Sequence, residues 1–380
     1  MQLPRTVLFI FGTRPEAIKL CPLFLKLKAF PELYSAKICV TGQHRGMLDQ
    51  VLKAFDVTPD YDLNVMTPGQ TLFQSTARII QALELPFGES KPDLAIVQGD
   101  TTTTLCGALA AFYSRVPVAH VEAGLRTGDL QQPFPEELNR VLTARITRLH
   151  FAATSWAADN LRREGISENV WITGNTGIDA VLHVRDRLER GELKSFGPDF
   201  HRPGKRLILI TAHRRESFGE GFVRICQALT AIADRDDVHV VYPVHPNPSV
   251  QTIVRERLGS HPNITLTEPL DYVSFVDLMR RAYLILTDSG GIQEEGPSLG
   301  KPVLVLREKT ERPEAVEAGT VKLVGTDTGR IVRETLNLLD CPDEYQRMSR
   351  IHNPYGDGHA SERIEAVIRH GGAFVDPQLH

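Results

Sequence analysis

Three acids occupy positions from which they could move protons. Asp100, Glu122 and Glu136 lie in Gln98-Gly99-Asp100-Thr101, in His120-Val121-Glu122-Ala123-Gly124-Leu125-Arg126, and in Pro133-Phe134-Pro135-Glu136-Glu137-Leu138-Asn139-Arg140. The first two motifs end apolar runs of strand length and the third opens a helical pattern, so the carboxyls come from consecutive connections of one sheet. Carboxylates gathered together raise one another's pKa, which lets one act as a base while another acts as an acid. A plainer reading stays open, with Asp100 and Glu136 as helix caps and Glu122 in a salt bridge.

A second set is cationic. Thr211-Ala212-His213-Arg214-Arg215-Glu216-Ser217 places an imidazole and two guanidiniums after an apolar run, which suits a charged, departing diphosphate. In Leu286-Thr287-Asp288-Ser289-Gly290-Gly291-Ile292-Gln293-Glu294-Glu295 a strand stops, two glycines bare their backbone N–H groups, and a helix begins. That is a phosphate cradle. Glu295, one turn in, can accept hydrogen bonds from ribose hydroxyls, and Arg312 after the next run adds a counter-charge. His245 also follows a strand, although its flanking prolines fit a rigid loop equally well. Arg14 and Lys19, in and after Gly12-Thr13-Arg14-Pro15-Glu16, stand at a helix start where anions are favoured. An ordinary strand–helix corner with solvated cations is the alternative there. The motif is not G-x-G-x-x-G, so no dinucleotide cofactor is expected, and no ligand cluster suggests a metal.

These residues need strands to deliver them. Runs 7–11, 36–41, 94–98, 116–121 and 150–152 have strand length, with helical patterns at 16–29, 101–114 and 134–147. Runs 207–211, 239–243, 264–266, 284–287 and 303–306 repeat the rhythm. Strands alternating with helices imply an α/β fold with parallel sheets, and two series of five or six strands favour two Rossmann-like, doubly wound domains over one eight-fold barrel. The expected first domain spans 1–173, completed by a helix near 359–372, and the second spans 174–358. A break lies at 191–205, and Ser361 is the expected cap of the last helix.

The chain has 380 residues, 42% of them hydrophobic and 24% charged, with a net charge of −4. That balance points to a globular protein with no nucleic-acid or membrane surface. Five scattered cysteines without a C-x-x-C pair read as reduced thiols, and neither a signal peptide nor a membrane span is visible, so a cytoplasmic location is expected.

Taken in order over residues 5 to 370, these motifs, with Gly174-Asn175-Thr176, resemble the bacterial non-hydrolysing UDP-N-acetylglucosamine 2-epimerases. The resemblance implies a GT-B-type fold, a homodimer, no cofactor, and isomerisation of UDP-GlcNAc to UDP-ManNAc for surface polysaccharide. It implies catalytic roles for Asp100, Glu122, Glu136 and His213. Substrate contacts would come from Arg14, Lys19, Phe275, Ser289, Gly290, Gly291, Glu295 and Arg312, with the two domains facing a central cleft. Gln43, His44 and His245 are the candidates for a regulatory site. Relatives that bind a second substrate molecule as activator carry Gln and Arg where this chain has Gly46 and Gly69, a departure from that pattern. A hydrolysing 2-epimerase and a GT-B glycosyltransferase are the rival activities.

Overall fold

Two uninterrupted apolar stretches, Val7 to Phe11 and Ile208 to Ile210, are fully buried, as strands covered on both faces must be. They form β1 (Arg5–Phe11) and β8 (Arg206–Thr211). These are interior strands of two parallel sheets in a computed structural model that describes residues 3–42, 45–67, 69–214, 217–310, 312–350 and 352–370.

The first sheet has the order β3-β2-β1-β4-β5-β6-β7. Its other members are β2 (Tyr34–Val40), β3 (Tyr61–Asp62), β4 (Leu94–Gln98), β5 (Val118–Val121), β6 (Leu149–Ala152) and β7 (Val170–Ile172). The second runs β10-β9-β8-β11-β12-β13, with β9 (Val238–Pro243), β10 (Ile264–Thr267), β11 (Leu284–Thr287), β12 (Val303–Val305) and β13 (Val321–Leu323). Register is parallel throughout; Val7 lies opposite Leu94, and Leu284 opposite Ile208. Each sheet reverses its winding next to its first strand, at β1/β4 and at β8/β11. In such sheets the crevice at the carboxyl ends beside the reversal is where ligands bind.

The expected Rossmann-like strands are present, lengthened or trimmed by one or two residues. β3, β7 and β13 were not expected, because two or three residues carry no readable period.

The helices are α1 (Arg14–Lys28), α2 (Arg45–Ala54), α3 (Leu72–Ser90), α4 (Thr102–Tyr113), α5 (Glu136–Ile146), α6 (Ser155–Arg163), α7 (Thr176–Glu189), α8 (Glu220–Ala233), α9 (Pro248–Leu258), α10 (Tyr272–Arg281), α11 (Gly290–Ser298), α12 (Pro313–Ala318), α13 (Thr328–Asp340), α14 (Pro342–Arg350) and α15 (Ala360–His370). α4 lies tightly on the first sheet: a Cβ on Gly107 would stand 3.0 Å from Val97 Cγ1 and 3.1 Å from Ile10 Cγ2.

The chain divides into two compact units, one comprising residues up to Ala180 and those from Tyr355 onward, the other Val181–Pro354. In the first, α15 packs on α1: Lys26 Nζ meets Glu362 Oε1 at 3.1 Å, and Tyr34 donates its hydroxyl hydrogen to Glu365 at 3.1 Å. Ser361 is not the cap expected for this helix. The helix begins one residue earlier, and Asp179 on α7 accepts from the backbone N–H groups of Ala360 (3.2 Å) and Ser361 (2.7 Å). A carboxylate with two oxygens satisfies two orphan donors at once, and Ser361 lies inside the first turn. In the second unit, Tyr242 on β9 is buried and donates its hydroxyl hydrogen to the Ala212 carbonyl at 2.7 Å, just before His213.

Candidate active site

In the first unit the acids follow β4 and β5. Asp100 receives a hydrogen bond from Arg140 Nη2 at 2.6 Å, and its carbonyl accepts one from Asn139 Nδ2 at 2.9 Å. Both partners are on α5, so that helix is fastened to the β4 connection. Thr101, not Asp100, caps α4, its hydroxyl oxygen accepting from Thr104 N at 3.2 Å. The capping alternative therefore fails for Asp100. Burial pushes the Asp100 carboxyl up to about 6; the Arg140 guanidinium opposes the rise, and the charges of Glu122 and Glu136 add to it. Such a group exchanges protons near neutrality.

Glu122 leaves β5 with φ +64°, a left-handed conformation that costs an L-residue roughly 1–2 kcal/mol. Its carboxylate is held from both sides, ion-paired with Lys19 Nζ and hydrogen-bonded by Gln98 Nε2. The salt-bridge reading of Glu122 is thus correct in its geometry, and the partner is one of the predicted substrate contacts. Glu136 is the half-buried first residue of α5, a helix whose Pro135 start has no side-chain cap. Its neighbour Glu137 is buried, accepting from the N–H groups of Thr127 and Gly128, each at 3.0 Å. Arg140 Nη1 reaches Glu137 at 3.2 Å, so one guanidinium serves two carboxylates.

Two further groups hold the loops. Glu16 is buried on α1; Oε2 accepts from the N–H groups of Gly12 (3.0 Å) and Thr13 (2.7 Å), and Oε1 from the hydroxyls of Thr101 (2.7 Å) and Thr104 (3.2 Å). One carboxyl thereby joins the β1 and β4 connections. Burial raises its pKa, against the hydrogen bonds from Thr101, Thr13 and Gly12. His120, also buried, is pushed down to about 3 by desolvation, so the ring is neutral. Its Nε2 lies 2.7 Å from the Gly99 carbonyl, which can only accept, so Nε2 carries the hydrogen. Arg14 opens α1 as its first residue.

In the second unit the organising group is Asp288, fully buried after β11. Its Oδ2 accepts from the N–H groups of His213 and Arg214, both at 2.7 Å, and Oδ1 lies 3.2 Å from His213 Nδ1. The β8 connection is thereby shaped by a carboxylate from β11. His213 stacks on His245, ring centroids 5.3 Å apart and planes 14° from parallel. Burial lowers the His213 pKa; Asp288 works against this, and His245 and Arg214 add to it.

The next residue, Ser289, is the N-cap of α11, and Gly290 and Gly291 form its first turn. Arg312 donates from Nε to Glu294 at 2.6 Å, and its guanidinium lies directly on Gly290. A Cβ added there would stand 2.5 Å from Nη1 and 2.6 Å from Cζ. The glycine is therefore required by close approach, and it leaves a guanidinium at a helix N-terminus, where the dipole favours anions. Glu295 lies beside Gly291, Oε1 3.8 Å from where a Cβ would be. Thr310, hydrogen-bonded to Gln293 Oε1 at 2.8 Å, receives the Arg312 N–H at 3.1 Å and fixes that loop. Phe275 is half-buried on α10.

Asp100, Glu122 and Lys19, with Glu136 near Asp100 electrostatically, form one group; His213, His245, Ser289, Gly290, Gly291, Glu295 and Arg312 lie on neighbouring connections of the other sheet. Gln43 and His44 lie outside the described residues. Gly46, in the first turn of α2, has nothing within 4 Å of a Cβ position, and Gly69 has φ +74°. Glu16, Arg140, Asp288 and Glu294 were not singled out from sequence. Thr13-x-x-Glu16 carries the capping-box signature that marks Glu16; the others lie inside the quoted motifs. Among the described residues, no group of three His, Cys, Asp or Glu side chains is placed to hold a metal, and no helix is long and apolar enough to cross a membrane.

Comparison with known proteins supplies the family. The family model described as UDP-N-acetylglucosamine 2-epimerase matches residues 26–369. The UDP-N-acetylglucosamine 2-epimerase of Escherichia coli (strain K12) is 57% identical over 370 residues, covering 96% of this chain and 98% of its own. That of Campylobacter jejuni is 49% identical over 376 residues, covering 97% and 98%. The crystal structure of UDP-GlcNAc 2-epimerase from Neisseria meningitidis bound to UDP-GlcNAc matches with TM-score 0.87 and 47% identity over 96% of this chain and 99% of that one. The S. aureus MnaA–UDP co-structure matches with TM-score 0.83 and 46% identity over 97% and 96%. By sequence across nearly its whole length and by the two sheets it builds, this chain belongs to the UDP-N-acetylglucosamine 2-epimerase family.

Proposed function

We propose that the protein interconverts UDP-GlcNAc and UDP-ManNAc by inverting C2 without hydrolysing the product. The C2 hydrogen of the sugar has no neighbouring carbonyl to acidify it, so inversion proceeds through loss of the C1 substituent. A base takes the C2 proton, the C1–O bond to UDP breaks, and a C1–C2 double bond forms, giving 2-acetamidoglucal and UDP. Return of a proton to the opposite face of C2 and re-addition of UDP to C1 complete the turnover.

The observation that carries this reading is Asp100, a carboxyl near pKa 6 beside Arg140 and within electrostatic reach of Glu122 and Glu136. A binding protein needs no proton exchanger there; an epimerase needs two. Asp100, Glu122 and Glu136 share the two transfers, and at pH 7 and above Asp100 is the ionised acceptor. His213, Arg14, Arg312 and the Ser289-Gly290-Gly291 turn take the diphosphate, with Lys19, Phe275 and Glu295 completing substrate contact. The relatives whose structures hold UDP-GlcNAc or UDP support this ligand. We place the enzyme in the cytoplasm as a supplier of ManNAc units for surface polysaccharide. Its active form is a homodimer, which agrees with the exposed Phe73, Leu85, Phe112 and Tyr113 on α3 and α4.

The test is positional isotope exchange. UDP-GlcNAc carrying ¹⁸O in the bridge between C1 and the β-phosphorus should scramble that label into the non-bridging β positions. Retention of the label in the bridge while UDP-ManNAc forms excludes C1–O cleavage. Accumulation of free ManNAc and UDP identifies the hydrolysing reaction instead.

A further inference from the structure

The second unit contains a cavity of about 450 Å³ at the edge of its sheet opposite the Ser289 turn. Lys205, Arg206 and Leu207 at the start of β8, His239 on β9 and Tyr283 just before β11 line it. Six residues of β8, at ~3.3 Å each, separate it from the His213 connection, so it is not part of the site described above.

Its lining is strongly cationic. Arg202, Lys205, Arg206, Arg281 and Lys301 face it, with Asp277 as the one carboxylate among the described lining residues. That carboxylate is already shared: Arg280 Nη2 meets its Oδ1 at 2.7 Å and Arg281 Nε its Oδ2 at 2.9 Å. Arg206 is paired with Asp237. Among the described residues, Arg202 donates to the Pro262 carbonyl (2.6 Å) and the Thr265 hydroxyl (3.2 Å) and Lys205 to the Asn263 side-chain oxygen (2.7 Å), none of them a carboxylate. Lys301, half-buried at the same wall, meets no carboxylate among the described residues, and burial together with Arg280 lowers its pKa. Cations withdrawn from water without counter-charge are costly, and an anion in their midst relieves both desolvation and mutual repulsion. The remaining wall is apolar and aromatic, with Phe200, Leu207, Leu278 and Tyr283, the last stacked on Tyr345 at 4.2 Å. The volume matches a small-molecule pocket.

We propose that this cavity is a second ligand site, taking a small organic anion whose phosphate or carboxylate meets Lys301, Arg202 and Lys205 and whose apolar or planar body lies against Phe200 and Tyr283. The established family activity does not require it, and the proposal goes beyond the epimerase reading.

Calorimetry on the full chain tests it, with saturating UDP present to occupy the other site; if UDP does not bind, that failure shows separately in its own titration. The probes are phenyl phosphate and phenylacetate, which tell a phosphate ligand from a carboxylate one, with phenol and inorganic phosphate as controls. At least one charged aromatic probe should bind saturably, and the two controls should bind at least about tenfold more weakly. Lys301→Met and Arg202→Met, each checked for an unchanged melting temperature, should weaken that binding at least about tenfold, as loss of a charged hydrogen bond does. Absence of saturable binding by both probes, an affinity unmoved in both variants, or phenol binding as tightly as phenyl phosphate overturns the proposal.

Discussion

The carboxyl ends of the two sheets share a topology and differ in their charge. At the first, two of the three acids are met by cations, Asp100 by Arg140 and Glu122 by Lys19. The result is one carboxyl, Asp100, raised to about 6 with two further acids within reach of its charge. At the second, the buried Asp288 carboxylate is taken up by the backbone N–H groups of His213 and Arg214, and what remains is a helix start with a guanidinium upon it. In the proposed reaction one edge passes protons and the other holds an anion. The fold supplies two equivalent crevices, and a few loop residues decide the chemistry of each.

The comparison breaks most sharply under substitution of the acids. Asp100→Asn, Glu122→Gln and Glu136→Gln should each lower kcat by about 10²–10⁴-fold, while the calorimetric Kd for UDP stays within about threefold of the parent. A variant that keeps near-normal turnover removes that residue from the proton transfers. Gly290→Ala should do the opposite. Its Cβ, 2.5 Å from Arg312 Nη1, displaces the guanidinium, so Kd for UDP rises about tenfold, the loss of one charged contact, with a smaller change in kcat.

The pH profile sharpens the same division. With the Asp100 carboxyl near 6, kcat/KM for UDP-GlcNAc should fall about tenfold per unit below pH ~6, because the protonated acid no longer accepts. A flat profile from about pH 5 to 8 contradicts that assignment. The smallest effect concerns Glu16. Its folded pKa is raised, so the folded chain binds that proton more tightly than the unfolded chain does. Its contribution to stability is complete below the unfolded value and is lost as pH rises through the folded one. Glu16→Gln removes that slope, so the variant's melting temperature should rise relative to the parent's as pH increases above the ordinary carboxylate range. A difference independent of pH would show that the Glu16 pKa is the same in the folded and unfolded chains.

Much of this was legible in the sequence because apolar runs of three to six residues and strand-end motifs carry their signal locally. β4 and β11 were placed to the residue, and with them Asp100 and Ser289. What escaped depends on contacts distant in sequence. Asp179 lies about 180 residues from the helix it caps, and Arg140 is 40 residues from Asp100. Glu122 in a left-handed conformation between Lys19 and Gln98 has no sequence mark beyond the glycine two residues on. The short strands β3, β7 and β13 are fixed by their sheet neighbours rather than by pattern.

The most direct measurement follows the C2 hydrogen itself. UDP-GlcNAc incubated with the enzyme in D₂O and observed by NMR should give UDP-ManNAc carrying deuterium at C2, with no free sugar released. UDP-ManNAc that retains its original hydrogen at C2 would contradict proton exchange by the carboxyls of the first sheet.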